Sequence, residues 1–346
     1  MVHNFDPFLW QISGNFGIRW YGLAYLSGFI CAYYMIHKMA LINKAQIPVR
    51  LVSDFITYCA IGILVGGRLG YVFFYSPDLL TQFKSEIPFW GVLAVNEGGM
   101  ASHGGMIGLI FACMLFAKIH RLNSLHLFDW VAMCGPIGIF FGRIANFING
   151  ELVGRACEPN FPLGIKFPSD IFLWPSQEPT KMKALTAVVD KLGITNENWL
   201  NLLDKSKNEF TAQVTIHDTL NKIVTAIQDG NNAVTDALAP LLVLRHPSQL
   251  YAALGEGLIL FSILWLIWYK PRKPGVIGSL FLVFYSIIRI SDEQFRMPDV
   301  QIGFDSLGLT RGQVLSGGML LIGLILFIFW SRRLAQPLGG WGRQYR

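Results

Sequence analysis

The chain has 346 residues, of which 53% are hydrophobic and only 14% are charged, and its mean hydropathy is +0.44. An ordinary soluble domain has about a quarter of its residues charged, so this composition excludes a typical soluble protein and indicates one membrane-embedded bundle. The net charge of +6 does not indicate nucleic-acid binding, because much of the basic excess falls in short loops and in the C-terminal tail.

Seven apolar stretches are long enough to cross a bilayer as helices, which takes about 20 residues each. They lie at 18–36, 51–75, 101–117, 127–148, 249–269, 275–295 and 313–331. Lysine and arginine follow the first, third, fifth and seventh stretches and are sparser in the alternate short connections, with Lys84 alone between the second and third stretches. By the positive-inside rule, this asymmetry predicts an N-terminus outside and a C-terminus in the cytoplasm.

A polar region at residues 155–247 interrupts the apolar stretches. Its first part is rich in proline, and later segments have apolar residues at helical spacing. We expect a small extracytoplasmic head with two to four short amphipathic helices; the alternative is a flexible insertion with no role in chemistry. The predicted fold is therefore all-α and polytopic, with helices one to four and a signature loop in 1–154, the head in 155–247, and helices five to seven with a cytoplasmic tail in 248–346.

Three arginines lie inside predicted spans, where each charge costs about 2.5–3.5 kcal/mol on insertion scales. Arg68, Arg143 and Arg289 are all near the outer ends of their helices. Further polar residues occur at a similar depth, namely Tyr21, His103, Gln249, Tyr251 and Glu256. Scattered structural polar residues are not expected to share a depth, so the pattern predicts one buried polar site in the outer half of the bilayer.

Helical spacing places several of these residues on common faces. One face of the sixth span carries Tyr285, Arg289, Glu293 and Arg296. Arg143 and Asn146 are three residues apart and share a face of the fourth span. A guanidinium group matches two phosphate oxygens at once and stays charged. Arg143 and Arg289 are therefore predicted to bind the phosphate of an anionic phospholipid.

Alternatives remain open for the charged residues and for His103. Arg289 could pair only with Glu293, and Arg68 could pair with Glu256 or another carboxylate; for Arg68 this structural role is the favoured interpretation. His103 lies among glycines at the start of the third span. Histidine titrates near neutral pH and could accept a proton, but a lone histidine at a helix end also serves as a structural donor.

The sequence GRIANFINGELVG at 142–154 resembles the signature of the bacterial prolipoprotein diacylglyceryl transferases. Further matching segments are WYGLAY from Trp20, GGRLGYVFFY from Gly66, SHGGMIG from Ser102, RHPSQLY from Arg245 and YSIIRISDEQFRMPD from Tyr285. The resemblance covers most of the chain except about 167–243. The acidic residue that often follows RHPSQLY is Ala252 here, so no role is placed at that position.

The resemblance implies an enzyme of the bacterial inner membrane, with its active site toward the extracytoplasmic side. It implies transfer of the diacylglyceryl group of phosphatidylglycerol to the lipobox cysteine of a prolipoprotein signal peptide, with release of glycerol phosphate. The family pattern implies catalytic roles for His103, Arg143, Glu151 and Arg289. It implies phosphatidylglycerol binding by Tyr21, Arg143, Asn146, Gly154, Tyr285, Arg289 and Glu293. Glu151 and Gly154 are selected by the resemblance alone.

The expected partners are phosphatidylglycerol, the signal peptide and the lipid bilayer, without nucleic acid. No group of histidines, cysteines or carboxylates has the spacing of metal ligands, so neither a metal nor another cofactor is predicted. The main alternative function is a transporter or flippase for an anionic lipid or metabolite, which would also bury arginines in a bundle. Transporters tend to have inverted repeats and a site near the membrane midplane, however. A purely structural membrane protein would leave the buried arginines unexplained.

Overall fold

The structure is a computed structural model, and it is mostly helical. The residues that it describes are 1–13, 16–83, 85, 88–94, 98–298 and 308–342. The first part contains the strands β1 (Phe8–Ser13) and β2 (Phe16–Arg19) and the helices α1 (Trp20–Leu41), α2 (Val52–Phe74), α3 (Ser102–His120) and α4 (Ser124–Ile148).

The polar region begins with a short strand, β3 (Ile165–Lys166), and ends with another, β4 (Leu244–Arg245). Between them lie α5 (Trp174–Gln177), α6 (Lys181–Ala184), α7 (Thr186–Asp190), α8 (Asn196–Lys205), α9 (Phe210–Gln228) and α10 (Asn232–Leu238). The last part contains α11 (Ser248–Ala252), α12 (Leu260–Ile267), α13 (Val276–Asp292) and α14 (Arg311–Arg332). A π-helical stretch, Ala253–Ile259, joins α11 to α12.

Within the described residues, five helices are long and apolar enough to cross a membrane. They are Val49–Phe74, Ser102–His120, Ser124–Ile148, Ser248–Ile267 and Arg311–Arg332. Each agrees with a predicted span to within three residues at either end, and the prediction of a helical membrane protein is confirmed to this extent. The predicted spans at 18–36 and 275–295 are also helices, α1 and α13. The first carries four tyrosines as well as His37 and Lys38, and the second has only 17 residues.

Four short strands qualify the prediction of an all-α fold. β1 and β2 pair antiparallel, with Trp10 opposite Ile18, and β3 pairs antiparallel with β4. The N–H of Trp20 donates to the carbonyl of Pro7 at 3.2 Å, so α1 begins where the hairpin ends. Such short apolar segments do not reveal from their periodicity whether they form strands or helices, which is why the sequence did not predict the hairpin.

The chain divides into two compact units. The first comprises Met1–Ala24, Phe140–Gly255 and Arg289–Val314. The second comprises Tyr25–Ile139, Glu256–Ile288 and Leu315–Arg346.

In the second unit, α2 packs against the first two turns of α3 with almost no side chains between them. A Cβ atom added to Gly66 would lie 2.8 Å from Cα of Gly108, and one added to Gly70 would lie 2.8 Å from Cα of Gly104. Glycine at facing positions allows the close backbone contact that stabilises helix pairs in membranes. The start of α3, where His103 lies, is therefore held against α2 by backbone contact.

Arg68 on α2 is only 5% exposed, and its guanidinium group donates to backbone carbonyls of the segment before α3. The acceptors are Gly91 at 2.7 Å, Val92 at 2.8 Å, Gly98 at 2.5 Å and Gly99 at 3.0 Å. The predicted pairing of Arg68 with Glu256 or another carboxylate is wrong, because these carbonyl oxygens accept its hydrogen bonds. The role of Arg68 in this segment is structural.

Replacing Arg68 by alanine should lower the free energy of unfolding by about 2–4 kcal/mol, because several partly buried carbonyls lose a charged donor. The expected result is a lower midpoint of thermal unfolding in detergent. Arg19→Ala is the matched control, since Arg19 is exposed and its guanidinium lies over the ring of Phe8. An equal midpoint for the Arg68 and Arg19 variants would contradict the structural role.

In the first unit, residues 167–243 have an apolar core of their own. Fully buried side chains from α7 to α10 meet there, among them Val188, Trp199, Leu220, Ile223 and Val234. The indole N–H of Trp199 donates to the carbonyl of Met182 at 2.9 Å. This packing is not what the alternative of a flexible insertion predicts. The region has six helices instead of two to four, and three of the six, α5 to α7, are about one turn long.

Candidate active site

The C-terminal end of α4 brings Glu151 next to Asn146. Gly150 has a φ of +66°, in the left-handed region that favours glycine. The N–H of Gly150 donates to the carbonyl of Phe147 at 3.0 Å, and that of Glu151 donates to the carbonyl of Asn146 at 3.1 Å. These two bonds form a Schellman motif, which ends the helix at a glycine. The Asn-Gly-Glu sequence therefore turns Glu151 back toward the last turn of α4.

Tyr21, Asn146 and Glu151, which the sequence analysis selected, form one hydrogen-bonded network. The hydroxyl of Tyr21 donates to Oε2 of Glu151 at 3.2 Å and accepts a hydrogen bond from Nδ2 of Asn146. Asn149 donates from Nδ2 to Oε1 of Glu151 at 2.8 Å. Both carboxylate oxygens of Glu151 thus accept hydrogen bonds, which fix the direction of the carboxylate.

The RHPSQLY segment supports the loop that carries Glu151. Gln249 is 2% exposed and donates from Nε2 to the carbonyl of Glu151 at 2.6 Å. Ser248 donates from Oγ to the carbonyl of Leu152 at 3.0 Å. The start of α11 therefore holds the backbone of the signature loop, whereas Tyr21 and Asn149 hold the carboxylate.

Arg143 lies on α4, three residues before Asn146, and is half-buried. Residues three apart lie on the same face of a helix, one turn from each other. The predicted common face of Arg143 and Asn146 is therefore present in α4.

Arg289 and Glu293 form an ion pair near the end of α13. Nη2 of Arg289 donates to Oε1 of Glu293, and the side chains are 12% and 5% exposed. Oε2 of Glu293 accepts a hydrogen bond from the hydroxyl of Thr310 at 2.8 Å. The structure therefore contains the pairing of Arg289 with Glu293, which places a guanidinium and a carboxylate side by side.

Gly154 lies between two other backbone segments. It forms an antiparallel bridge with Arg296, and a Cβ atom at position 154 would overlap the backbone carbonyl of His246. The next residue is bonded to the same two segments. The N–H of Arg155 donates to the carbonyl of Phe295 at 2.8 Å, and the carbonyl of Arg155 accepts from the N–H of His246 at 3.0 Å, so residues 154–155, 295–296 and 245–246 form one backbone layer. The structure thus gives Gly154 a role in backbone packing, and the phosphatidylglycerol binding that the family resemblance implies for it stays a prediction.

Arg155 and Arg245 support this layer with their side chains. Arg155 donates from Nε to the carbonyl of Arg296 at 3.0 Å and from Nη2 to that of Glu293 at 3.2 Å. Arg245 donates from Nε to Oδ2 of Asp170 at 2.6 Å. Burial raises the pKa of the Asp170 carboxyl, and the Arg245 guanidinium opposes this shift. Both arginines therefore stabilise the backbone and loop segments around the candidate site.

His103 and Tyr285 belong to the second unit, and the other seven predicted residues belong to the first. His103 is exposed in the first turn of α3. Tyr285 is on α13, four residues before Arg289, and its ring stacks on that of Phe281 with centroids 5.6 Å apart. The two compact units thus divide the predicted site residues into a group of seven and a group of two.

Among the polar residues that were not selected from the sequence, Asn149, Arg155 and Thr310 contact predicted site residues. Thr310 precedes α14 and begins a Thr-x-x-Gln sequence, which is the pattern of a helix N-cap. Thr310 lies three residues before the predicted seventh span, and its hydroxyl donates a hydrogen bond to Glu293. Within the described part of the chain, no group of three or more His, Cys, Asp or Glu side chains could hold a metal ion.

Comparisons with known proteins agree with the motif resemblance. The family model described as prolipoprotein diacylglyceryl transferase matches residues 7–329. A phosphatidylglycerol–prolipoprotein diacylglyceryl transferase of Bdellovibrio bacteriovorus is 58% identical over 343 residues, which cover 99% of this chain and 97% of the relative. Proteins with the same description are 37% identical in Rickettsia bellii, over 94% of this chain and 95% of the relative, and 36% identical in Rhodospirillum rubrum, over 96% and 94%. The chain belongs to the prolipoprotein diacylglyceryl transferase family.

Proposed function

We propose that this protein transfers the diacylglyceryl group of phosphatidylglycerol to the cysteine thiol of a prolipoprotein lipobox. The observation that carries the proposal is the gathering of seven of the nine predicted residues in one compact unit: Tyr21, Arg143, Asn146, Glu151, Gly154, Arg289 and Glu293. Membership of the family and the substrates that its relatives are named for support the same reaction.

The protein crosses the bacterial inner membrane seven times, with α1 and α13 as the two spans besides the five helices that are long and apolar enough to cross it. Its N-terminus is outside and its C-terminus is in the cytoplasm, in keeping with the lysines and arginines after α1, α3, α12 and α14. Residues 1–154 and 248–346 form the membrane part, and 155–247 form an extracytoplasmic head. The active site then faces the side on which exported preproteins present the lipobox cysteine.

In the reaction, the thiol of the preprotein loses its proton, and its sulfur attacks the carbon of the diacylglyceryl group that is bonded to a phosphate oxygen. The carbon–oxygen bond breaks, a thioether forms, and glycerol phosphate leaves with the bonding electron pair. Arg143 and Arg289 bind the phosphate and stabilise the charge that grows on the leaving group. Asn146 and Tyr285 orient the headgroup hydroxyls, and Tyr21 lines the lipid-binding site. Thiolate is the reactive form of cysteine, and His103 is the base that generates it, with Glu151 as the second candidate.

An assay with purified protein tests the reaction against its alternatives. The protein is incubated with phosphatidylglycerol and a lipobox peptide, and the products are examined by mass spectrometry. Transfer predicts a peptide heavier by one diacylglyceryl group together with equimolar glycerol phosphate. A flippase or transporter would move a labelled anionic lipid or metabolite across the membrane of vesicles without modifying the peptide. A structural protein would show neither transport nor peptide modification.

Replacing His103 by glutamine should lower the transfer rate by about 100-fold at neutral pH if its imidazole accepts the thiol proton. The rate should recover partly as pH rises, because the peptide thiol then ionises without a base. Initial rates between pH 6 and pH 9 check this, with Ser102→Ala, next to His103 in α3, as the control. A variant whose pH profile parallels that of the wild type would assign His103 a structural role and leave Glu151 as the base.

A further inference from the structure

Thr310 contacts Glu293 in the described part of the chain although 17 residues separate them. The hydroxyl of Thr310 donates to Oε2 of Glu293 at 2.8 Å, and the two residues are 3% and 4% exposed. Oε1 of the same carboxylate accepts from Arg289. Since each oxygen of Glu293 has a donor on a different element, the carboxylate is fixed between α13 and the start of α14.

Thr310 also caps α14. The N–H of Gln313 donates to Oγ1 of Thr310 at 3.2 Å, and the N–H of Thr310 donates to Oε1 of Gln313 at 3.0 Å. This reciprocal pair is a capping box, which fixes the rotamer of the threonine side chain. Because Oγ1 accepts from the backbone, its single proton is directed to Glu293.

Gly312 makes room for the carboxylate. A Cβ atom at position 312 would lie 2.6 Å from Oε1 and 2.7 Å from Cδ of Glu293. The backbone of Glu293 is held from the other side, where Nη2 of Arg155 donates to its carbonyl at 3.2 Å. In the sequence Thr-Arg-Gly-Gln at 310–313, Thr310 therefore caps the helix and donates to Glu293, and Gly312 leaves the space that the Glu293 carboxylate occupies.

We propose that Thr310 is a positioning residue for phosphatidylglycerol binding, which acts through Glu293 on the direction of the Arg289 guanidinium. This inference rests on the proposed function, since it assumes that Arg289 binds the lipid phosphate. A carboxylate held at both oxygens keeps its guanidinium partner in one orientation, and bidentate phosphate binding depends on that orientation. Without the Thr310 hydroxyl, Glu293 can rotate and Arg289 turns with it.

Three substitutions separate the two roles of Thr310. Thr310→Ser keeps both the cap and the donor, and should leave KM for phosphatidylglycerol within about twofold of the wild type. Thr310→Val removes both, and should raise KM by about tenfold. Thr310→Asp keeps a strong cap but places a like charge against Glu293, and should raise KM at least as much as valine does.

Thr195→Val is the matched control for capping. Oγ1 of Thr195 accepts from the N–H of Asn198 at 3.4 Å at the start of α8, in residues 167–243, which contain none of the predicted site residues. This variant should lower the midpoint of thermal unfolding without changing KM. If it raised KM as much as Thr310→Val does, the effect at position 310 would be one of general stability, and the proposal would be wrong.

A double-mutant cycle tests whether Thr310 acts through Glu293. Lipid binding is measured as the upward shift of the unfolding midpoint on adding phosphatidylglycerol, which can be read even in inactive variants. In a Glu293→Gln background, Thr310→Val should change the apparent affinity by less than about twofold. Equal effects of Thr310→Val in both backgrounds would overturn the proposal.

The wild type separates failure of this inference from failure of the proposed function. If the wild type transfers the diacylglyceryl group and the valine and aspartate variants match it in KM and lipid binding, the Thr310 inference alone is wrong. If the wild type neither transfers the group nor binds phosphatidylglycerol, the proposed function is wrong, and the inference is overturned with it.

Discussion

Replacing Arg143 by alanine is expected to lower the rate of diacylglyceryl transfer by about 100-fold or more. One preorganised donor to a developing oxyanion commonly has an effect of this size. Arg143 lies one turn from Asn146, whose side chain is tied to Tyr21 and through it to Glu151. The rate is measured with purified protein, phosphatidylglycerol and a lipobox peptide. Circular dichroism and the unfolding midpoint should show that the variant still folds.

Two further variants show whether the effect of Arg143→Ala comes from the loss of the guanidinium group at this position. Arg143→Lys keeps the charge but loses the planar fork, so its rate should fall between those of the wild type and the alanine variant. Arg272→Ala is the matched control, because Arg272 is also half-buried and donates from Nε to the carbonyl of Ile267 at 3.0 Å, in the second unit. Near-normal turnover of a folded Arg143→Ala protein would remove Arg143 from the mechanism.

Interactions within one helix were accessible from the sequence. Hydropathy over windows of about 20 residues located five helices to within three residues, because the membrane requires long apolar segments. The spacing of Arg289 and Glu293 predicted a shared face, and the structure shows them as an ion pair. The spacing of Arg143 and Asn146 followed from the same periodicity. In both of these pairs the two residues are no more than four positions apart in the sequence.

Contacts between distant segments were not accessible in this way. The guanidinium of Arg68 reaches carbonyls 23 to 31 residues away, and backbone acceptors have no signature in the side-chain sequence. Thr310 fell just outside the predicted seventh span, and its capping pattern does not reveal that the hydroxyl proton points to Glu293. Periodicity predicts the helix face on which a residue lies. Which hydrogen-bond acceptor its side chain contacts depends on how distant segments pack, and the periodicity does not reveal that.

Replacing Gly154 by alanine is expected to reduce transfer by about 100-fold, because small displacements of catalytic groups have effects of this size. The added methyl group would overlap the carbonyl of His246. The two nearest atoms, O and C of that carbonyl, belong to the backbone, so no flexible side chain can move aside to relieve the overlap. The segment must shift, and it is continuous with the loop that carries Glu151. The same overpacking should lower the free energy of unfolding by about 1–3 kcal/mol.

Gly317→Ala is the control that isolates the effect of the overlap at position 154. Gly317 is inside α14 and a Cβ atom there would meet nothing within 4 Å, so alanine should be tolerated and should stabilise the helix by about 0.5–1 kcal/mol. Arg245 donates from Nη1 to the carbonyl of Gly154 at 3.2 Å, so a shifted segment also loses this bond. A Gly154→Ala protein with wild-type turnover and an unchanged midpoint would show that the layer tolerates the methyl group. The importance of this glycine in the family would then lie in direct contact with substrate, since the packing of residues 153–157 would not explain it.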